Sequence, residues 1–171
     1  RRHRRAARRY RDIRSVELVP VDRATPDDHF FSASAELFKR VEQVSPEYRN
    51  LIDHHSHQVA TFGFPYLNSD RCAELWELSY GAVYAALLKI GNSDLLSHYG
   101  FWRQTIRLRD QAMAQGIGSY CARESFSQGV LLVGSAHRRS LRDLTPEERG
   151  PHSDAFDWDM AIPLQSGQPL E

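Results

Sequence analysis

The sequence has few cysteines, few lysines and no long apolar run. Two cysteines in 171 residues cannot form the disulfide framework of a small secreted domain, so we expect free thiols in a reducing, cytoplasmic compartment. No stretch approaches the roughly 20 apolar residues that a membrane-spanning helix needs. The N-terminus has no apolar core behind its charges, so we expect no secretory signal. A content of 41% hydrophobic residues, with eight Phe, seven Tyr and three Trp, predicts one folded domain.

Charge is balanced over the whole chain but unevenly distributed along it. Residues 1–14 contain eight Arg and one Asp, a net charge of +7, so the remaining residues carry 14 basic and 21 acidic side chains, a net charge of −7. A basic arm of this kind can bind phosphate backbones with a steep salt dependence, which makes nucleic acid one candidate partner. The alternative, which we favour, is a surface helix that pairs with the acidic body.

Two segments have the pattern of strands. Val16–Val21 alternates between apolar and polar residues. Gly129–Gly134 is apolar on both faces, which is typical of a strand that is covered on both sides in a parallel sheet. Helices are predicted over residues 33–44, 46–60, 69–90 and 99–123, with Ser45 as the N-cap of the second and Gly91-Asn92 as the C-cap of the third. A short helix is expected after residue 137, and a capping box marks another helical turn at Thr145–Glu148.

The order of these elements predicts an α/β fold with a small, parallel sheet and a large helical insertion over about residues 30–98. We expect a basic arm over residues 1–14, the α/β domain over 15–149 and an irregular tail over 150–171. Two strands make a poor sheet, so further strands, or sequence outside this chain, would have to complete it.

The sharpest motif is Gly134-x-x-His137, at the carboxyl end of the second predicted strand. Ligands of open α/β sheets bind at this end, where a glycine lets the chain turn and the next residues, Ser135 among them, project into the crevice. A histidine there can ligate a metal or transfer protons. The alternative, which has equal weight, is a histidine that caps the next helix or contacts a backbone carbonyl.

A second candidate pair is Arg109-Asp110 on the last long helix. Arg109 falls on the apolar stripe of that helix, and a guanidinium that faces a core needs a partner. Adjacent residues diverge on a helix, so Asp110 is not that partner. We expect Arg109 and His137 to face one crevice, because the helix should run antiparallel to the following strand. The alternative is that Arg109 is an ion-pair residue that ties the helix to the sheet.

A third candidate is the histidine cluster Asp53-His54-His55-Ser56-His57. Asp53 and His57 share one helical face, as do His54 and His57, and either pair could contribute to a metal site. No further ligands are evident nearby, so the favoured interpretation is a solvated helix surface.

Together, these segments resemble the C-terminal half of the TraB/TIKI superfamily, which also includes ChaN-like haem-uptake proteins and erythromycin esterase-like proteins. The resemblance covers about a third of the chain: the Arg-Asp-x-x-Met-Ala pattern within Ile106–Ile117, the Gly-x-x-His within Gly129–Leu141 and, more weakly, Val16–Arg23. It implies an α/β fold with a helical insertion. It also implies divalent-metal-dependent hydrolysis of a peptide or ester bond.

On this resemblance, His137 is the metal ligand or the acid–base residue, Arg109 and Asp110 act beside it, and Gly134 and Ser135 line the site. A second, upstream Gly-x-x-His and a nearby Glu are features of the superfamily that do not occur before Val16. We therefore expect either half a site or a degenerate member. The alternatives are a non-catalytic module that binds haem or an anion in the same crevice, and nucleic-acid association through residues 1–14.

Overall fold

The computed structural model describes residues 9, 11–13, 16–22, 28–126 and 128–159, and helices are the regular elements of these ranges. Residues 9 and 11–13 are helical. Five helices follow from residue 28 onward: α1 (Asp28–Val44), α2 (Pro46–Phe62), α3 (Phe64–Leu67), α4 (Asp70–Ile90) and α5 (Ser93–Cys121). A 3-10 helix at Ser135–His137 leads into α6 (Arg138–Arg142), and α7 follows at Pro146–Arg149. None of the described helices combines the length and the apolar character that crossing a membrane requires.

Helix boundaries are confirmed where a specific capping residue predicts them. The Ser45 side chain accepts a hydrogen bond from the Tyr48 N–H at 3.1 Å and begins α2. Gly91 ends α4 in the left-handed conformation with φ 68°, which favours glycine. At the start of α7, Thr145 and Glu148 cap each other reciprocally.

The long helix α5 begins earlier than predicted, at Ser93 rather than near residue 99. The side chain of Asn92 accepts a hydrogen bond from the Leu95 N–H at 2.9 Å and caps the helix there. Gly91 and Asn92 thus end one helix and begin the next within two residues. The 29 residues of α5 span about 43 Å and connect the two apolar clusters of the molecule.

The predicted α/β fold is wrong, because the described residues contain no strand and form an all-α architecture. Residues 16–21 and 129–134 have no strand pairing, and each segment instead packs one side chain, Val21 or Leu131, on a cluster beside α5. Val130 and Leu132 are 75% and 65% exposed, so the second segment is not covered on both sides. The helices predicted as an insertion into a sheet form the body of the fold.

The larger apolar cluster lies among α1, α2, α4 and the beginning of α5, and we call it the aromatic core. Its buried residues are Leu37, Val41, Val83, Ala86, Leu87 and Tyr99. Phe38, Tyr48 and Trp102 pack against them, and the rings of Phe38 and Trp102 meet edge to face at 5.1 Å. Such ring pairs add to the stabilisation that apolar burial provides.

A smaller cluster lies beside the second half of α5. Its buried residues are Met113, Ala114, Leu141 and Leu144. We call this part of the molecule, comprising residues 16–22, 106–121 and 128–149, the site region. Two glycines of α5 bring other segments close to the helix here. A Cβ at Gly118 would lie only 2.9 Å from the carbonyl oxygen of His152, and one at Gly116 would lie 3.3 Å from that of Val21.

Most of the predicted arm (residues 1–8, 10 and 14) and about half of the predicted tail (residues 160–171) lie outside the described residues. The prediction that residues 1–14 associate with nucleic acid therefore stays a prediction.

Candidate functional site

His137 and Asp110 form a hydrogen-bonded pair in the site region. Nδ1 of His137 lies 2.5 Å from Oδ1 of Asp110. The Asp110 side chain is completely buried, whereas that of His137 is 14% exposed. Because an ionised carboxylate can only accept, the proton of this bond belongs to Nδ1. The pair is therefore an imidazole that a buried carboxylate orients.

The two members of the pair come from different elements. Asp110 lies in the second half of α5, and His137 is the last residue of the 3-10 helix. The His137 N–H donates to the Gly134 carbonyl at 2.9 Å, which closes the Gly-x-x-His turn. Gly134 has φ −64° and ψ 141°, a conformation open to any residue, and an added Cβ would lie 3.6 Å from Cδ2 of His137, an ordinary contact. The backbone of this turn does not require glycine.

The second carboxylate oxygen of Asp110, Oδ2, is buried and has no hydrogen-bond partner among the described residues. A buried acceptor without a partner loses its hydration without compensation. Burial raises the pKa of Tyr80 to about 12, and the negative charge of Asp110 contributes to that shift. The charge of Asp110 thus acts in surroundings where water screens it little, which strengthens its attraction for the imidazole.

Arg109 binds Asp22. Its Nη2 lies 2.6 Å from Oδ2 of Asp22 and its Nε lies 3.2 Å from Oδ1, a two-pronged contact. Hydrogen bonding to Asp22 raises the pKa of Arg109. The ion pair connects α5 to the extended segment at residues 16–22. This contact matches the alternative interpretation of Arg109 as an ion-pair residue, except that its partner lies in this segment and not in a sheet. The structure brings Asp110, not Arg109, to His137.

Ser135, the residue after the motif glycine, is held from α4. Nε1 of Trp76 donates to Oγ of Ser135 at 3.3 Å. Burial raises the pKa of the neighbouring Cys72 thiol, while hydrogen bonding with Ser135 and Tyr66 opposes that shift. Cys72 is fully buried, which makes it unsuited to act as a nucleophile. Ser135 therefore anchors the Gly-x-x-His turn to the helical body.

His55 is the half-buried member of the predicted histidine cluster. Its Nδ1 lies 3.1 Å from the Tyr66 hydroxyl, and its ring centroid lies 4.8 Å from that of Trp76. Burial lowers the pKa of His55, since desolvation disfavours the imidazolium. His54 and His57 are exposed on the same helix.

The predicted metal site finds no support in the part of the chain that the structure describes. No group of three or more His, Cys, Asp or Glu side chains there could hold a metal ion. A catalytic zinc centre uses three protein ligands, whereas His137 and Asp110 supply one imidazole and the carboxylate behind it. The described residues therefore do not fit a divalent metal at His137, nor one at His54 or His57.

Two partners of residues in the site region escape prediction from the sequence. Asp22 is separated from Arg109 by 87 positions, and Trp76 from Ser135 by 59, so no local spacing indicates either contact. Asp110 does have a local signal. It lies three residues before Met113 and four before Ala114, both of which are buried, and this periodicity places Asp110 rather than Arg109 on the inner face of α5.

Comparisons of the chain with protein-family models, with curated proteins and with solved structures found no match. The relationship to the TraB/TIKI superfamily therefore stays a prediction that rests on the motif residues themselves.

Proposed function

We propose that this chain carries the acid–base half of a hydrolytic site, with His137 as the base and Asp110 as the residue that orients it. The observation that supports this most is the 2.5 Å bond between a fully buried carboxylate and a partly exposed imidazole. The substrate class is a peptide or an ester, as the resemblance implies.

The chemistry follows from the direction of that bond. Asp110 accepts a hydrogen bond from the Nδ1–H group, which fixes both the tautomer and the orientation of the ring. Nε2 can therefore take a proton from a water that attacks a carbonyl carbon. The same Nε2 then returns the proton to the departing alcohol or amine. The negative charge of Asp110 stabilises the imidazolium that exists between the two transfers. Neither of these two proton transfers uses a metal ion.

The position of His137 suits this role. No described residue forms a hydrogen bond with Nε2, and the side chain keeps 14% of its surface exposed. The Gly-x-x-His turn is anchored on two sides, by Asp110 from α5 and by Trp76 from α4 through Ser135. Anchoring of this kind limits the motion of a catalytic group, and preorganisation of that sort raises a reaction rate.

Hydrolysis of nitrophenyl esters and fluorogenic peptides by the purified chain tests the proposal. His137→Gln should lower kcat/KM by about 10²- to 10⁴-fold, the range of general acid–base catalysis. Asp110→Asn should have a smaller effect, because it keeps the base and removes only the charge that orients it. His98→Gln is the matched control, since that imidazole contacts the Ser34 hydroxyl, at 3.2 Å, and the Phe30 ring, and it should leave the rate unchanged.

Two outcomes would overturn the proposal. One is an absence of hydrolysis by the unaltered chain on every ester and peptide tested. The other is unchanged hydrolysis by a His137→Gln variant whose circular dichroism shows the native helix content, because the pair would then be only structural.

A further inference from the structure

The outer face of α4 has an unusual composition for a solvated helix. Residues 78–88 contain no charged side chain over eleven positions. Their outward-facing members include Leu78, Tyr84 and Leu88, which are 62%, 50% and 55% exposed. A helix that is apolar on every side is normally buried on every side. This face therefore has the character of a surface that a partner covers.

The middle of this face is shallow. Gly81, Ala82 and Ala85 form the floor of a groove of about 560 Å³, and the charged side chains of Glu47, Glu74, Glu77 and Arg139 also line it. A Cβ added to Gly81 would meet no atom within 4 Å. Small residues between larger apolar ones allow a second helix to approach closely, at the short end of the usual interaxial range. The shape of the groove thus favours a helix as its occupant.

The charges at the two ends of the face indicate which helix occupies the groove. Glu74 lies seven residues before Gly81, and Lys89 lies seven residues after Ala82. Leu78 and Ala85 are placed in the same way, three residues before and three after that centre. When a second α4 packs antiparallel on the first around Gly81 and Ala82, each Glu74 therefore lies opposite the Lys89 of the other copy. The face is complementary to itself.

The geometry and the charges lead us to propose that two copies of this chain associate through this face, with α4 antiparallel to α4 about a twofold axis at Gly81 and Ala82. Such an interface is isologous, since the same patch serves both partners. The apolar surface continues past α4 to Val44, which is 53% exposed and lines the adjoining groove together with Lys89. The proposal does not depend on the hydrolytic site, since His137 and Asp110 lie outside both grooves.

Sedimentation of the full chain over a dilution series tests the association. A dissociation constant of about 10 μM would make the dimer predominant at about 100 μM. Gly81→Leu should weaken association more than roughly tenfold, since the new side chain fills the groove. It should not harm the monomer, because leucine is the better helix former. Gly100→Leu is the matched control, as Gly100 is also an exposed helical glycine with no atom within 4 Å of an added Cβ.

Charge reversal tests the antiparallel register. Glu74→Lys and Lys89→Glu should each weaken the dimer roughly tenfold, because each replaces two attractive pairs by two repulsive ones. The double variant should restore association, whereas Lys39→Glu, on the exposed surface of α1, should leave it unchanged.

Three results would overturn the proposal: a monomer at every concentration tested, a dimer that Gly81→Leu does not weaken, or a double charge reversal that is weaker than either single one. A monomer whose groove binds a basic amphipathic peptide would identify a different occupant, and would equally overturn it.

Discussion

The two ends of α5 lie in different chemical surroundings. Residues 93–102 join the aromatic core, where Tyr99 is buried and stacks on Trp102 with ring centroids 5.9 Å apart. Residues 106–121 cross the site region, where charged and polar pairs make most of the specific contacts. These include Arg109 with Asp22, Asp110 with His137, and Tyr120, whose hydroxyl donates to Glu17 at 2.8 Å.

This difference shows how one helix can serve two purposes. Apolar burial is not directional, so the aromatic core can stabilise the fold without fixing any single side chain to a single partner. Hydrogen bonds and ion pairs are directional and fix specific atoms at specific distances. The aromatic core therefore supplies stability, while the site region supplies the geometry that a functional group requires.

Truncation of one buried leucine in each region provides the strongest test of this comparison. Leu87 and Leu141 are each 1% exposed. Leu87→Ala should lower the free energy of unfolding by about 3 kcal/mol or more, and Leu141→Ala by about 2 kcal/mol, since a small cluster near the surface collapses more easily around a cavity. Urea denaturation measures both values, with the 42% exposed Leu108 as the control. An equal or greater loss for Leu141→Ala would contradict the comparison.

Acidification should loosen the site region before the aromatic core. A hydrogen bond from the Thr145 backbone, assisted by Arg107 and Gln111, lowers the pKa of Glu148 from its ordinary 4.5. A carboxylate with a lowered pKa in the folded state stabilises that state above its ordinary pKa, and this contribution is lost as pH falls through the folded value. The protection factors of the Arg149 and Gly150 amides, which correct for the intrinsic pH dependence of exchange, should therefore fall as the pH falls from about 5 to about 3.

Glu148→Gln isolates the source of that pH dependence. The variant should exchange faster at neutral pH and should lose most of the acid response over this range. Glu42→Gln, on the exposed surface of α1, should behave like the unaltered chain. An acid response that persists in Glu148→Gln would show that another group controls the docking of α7.

Thiol reactivity should show the smallest of the three differences. Cys72 is fully buried below the Gly-x-x-His turn and burial raises its pKa, whereas Cys121, at the end of α5, is partly exposed. A disulfide reagent should therefore modify Cys121 about tenfold faster than Cys72, because Cys72 reacts only when the structure around it unfolds locally. Cys121→Ser should remove the fast phase and Cys72→Ser the slow one. Equal rates would show that the turn opens freely.

The helical parts of the fold could be predicted because their signals are local. Ser45, Gly91 and the pair Thr145 and Glu148 each act on backbone groups within four residues, so sequence spacing carries the information. The strand assignments failed for the opposite reason. Gly129–Gly134 has the composition of a buried strand, but a strand exists only through its neighbour, and the described residues supply none.

The candidate site could be predicted only in part. The Gly-x-x-His motif indicated His137, but it did not indicate which residue of Arg109-Asp110 would reach it. The apolar stripe was assigned to include Arg109, whereas the buried residues Met113 and Ala114 show that Asp110 faces inward. Adjacent residues on a helix point about 100° apart, so an error of one residue exchanges the residue that contacts His137 for the one that forms the ion pair with Asp22.

The close approach at Gly118 has a consequence for how this sequence can vary during evolution. A Cβ at Gly118 would lie 2.9 Å from a backbone oxygen, and no choice of side chain at His152 can move that oxygen away. Selection should therefore hold position 118 to glycine while it leaves position 152 free to drift. In an alignment, the two contacting positions would then show no covariation, because the atoms that position 152 contributes, its carbonyl group and Cβ, are shared by every residue except glycine.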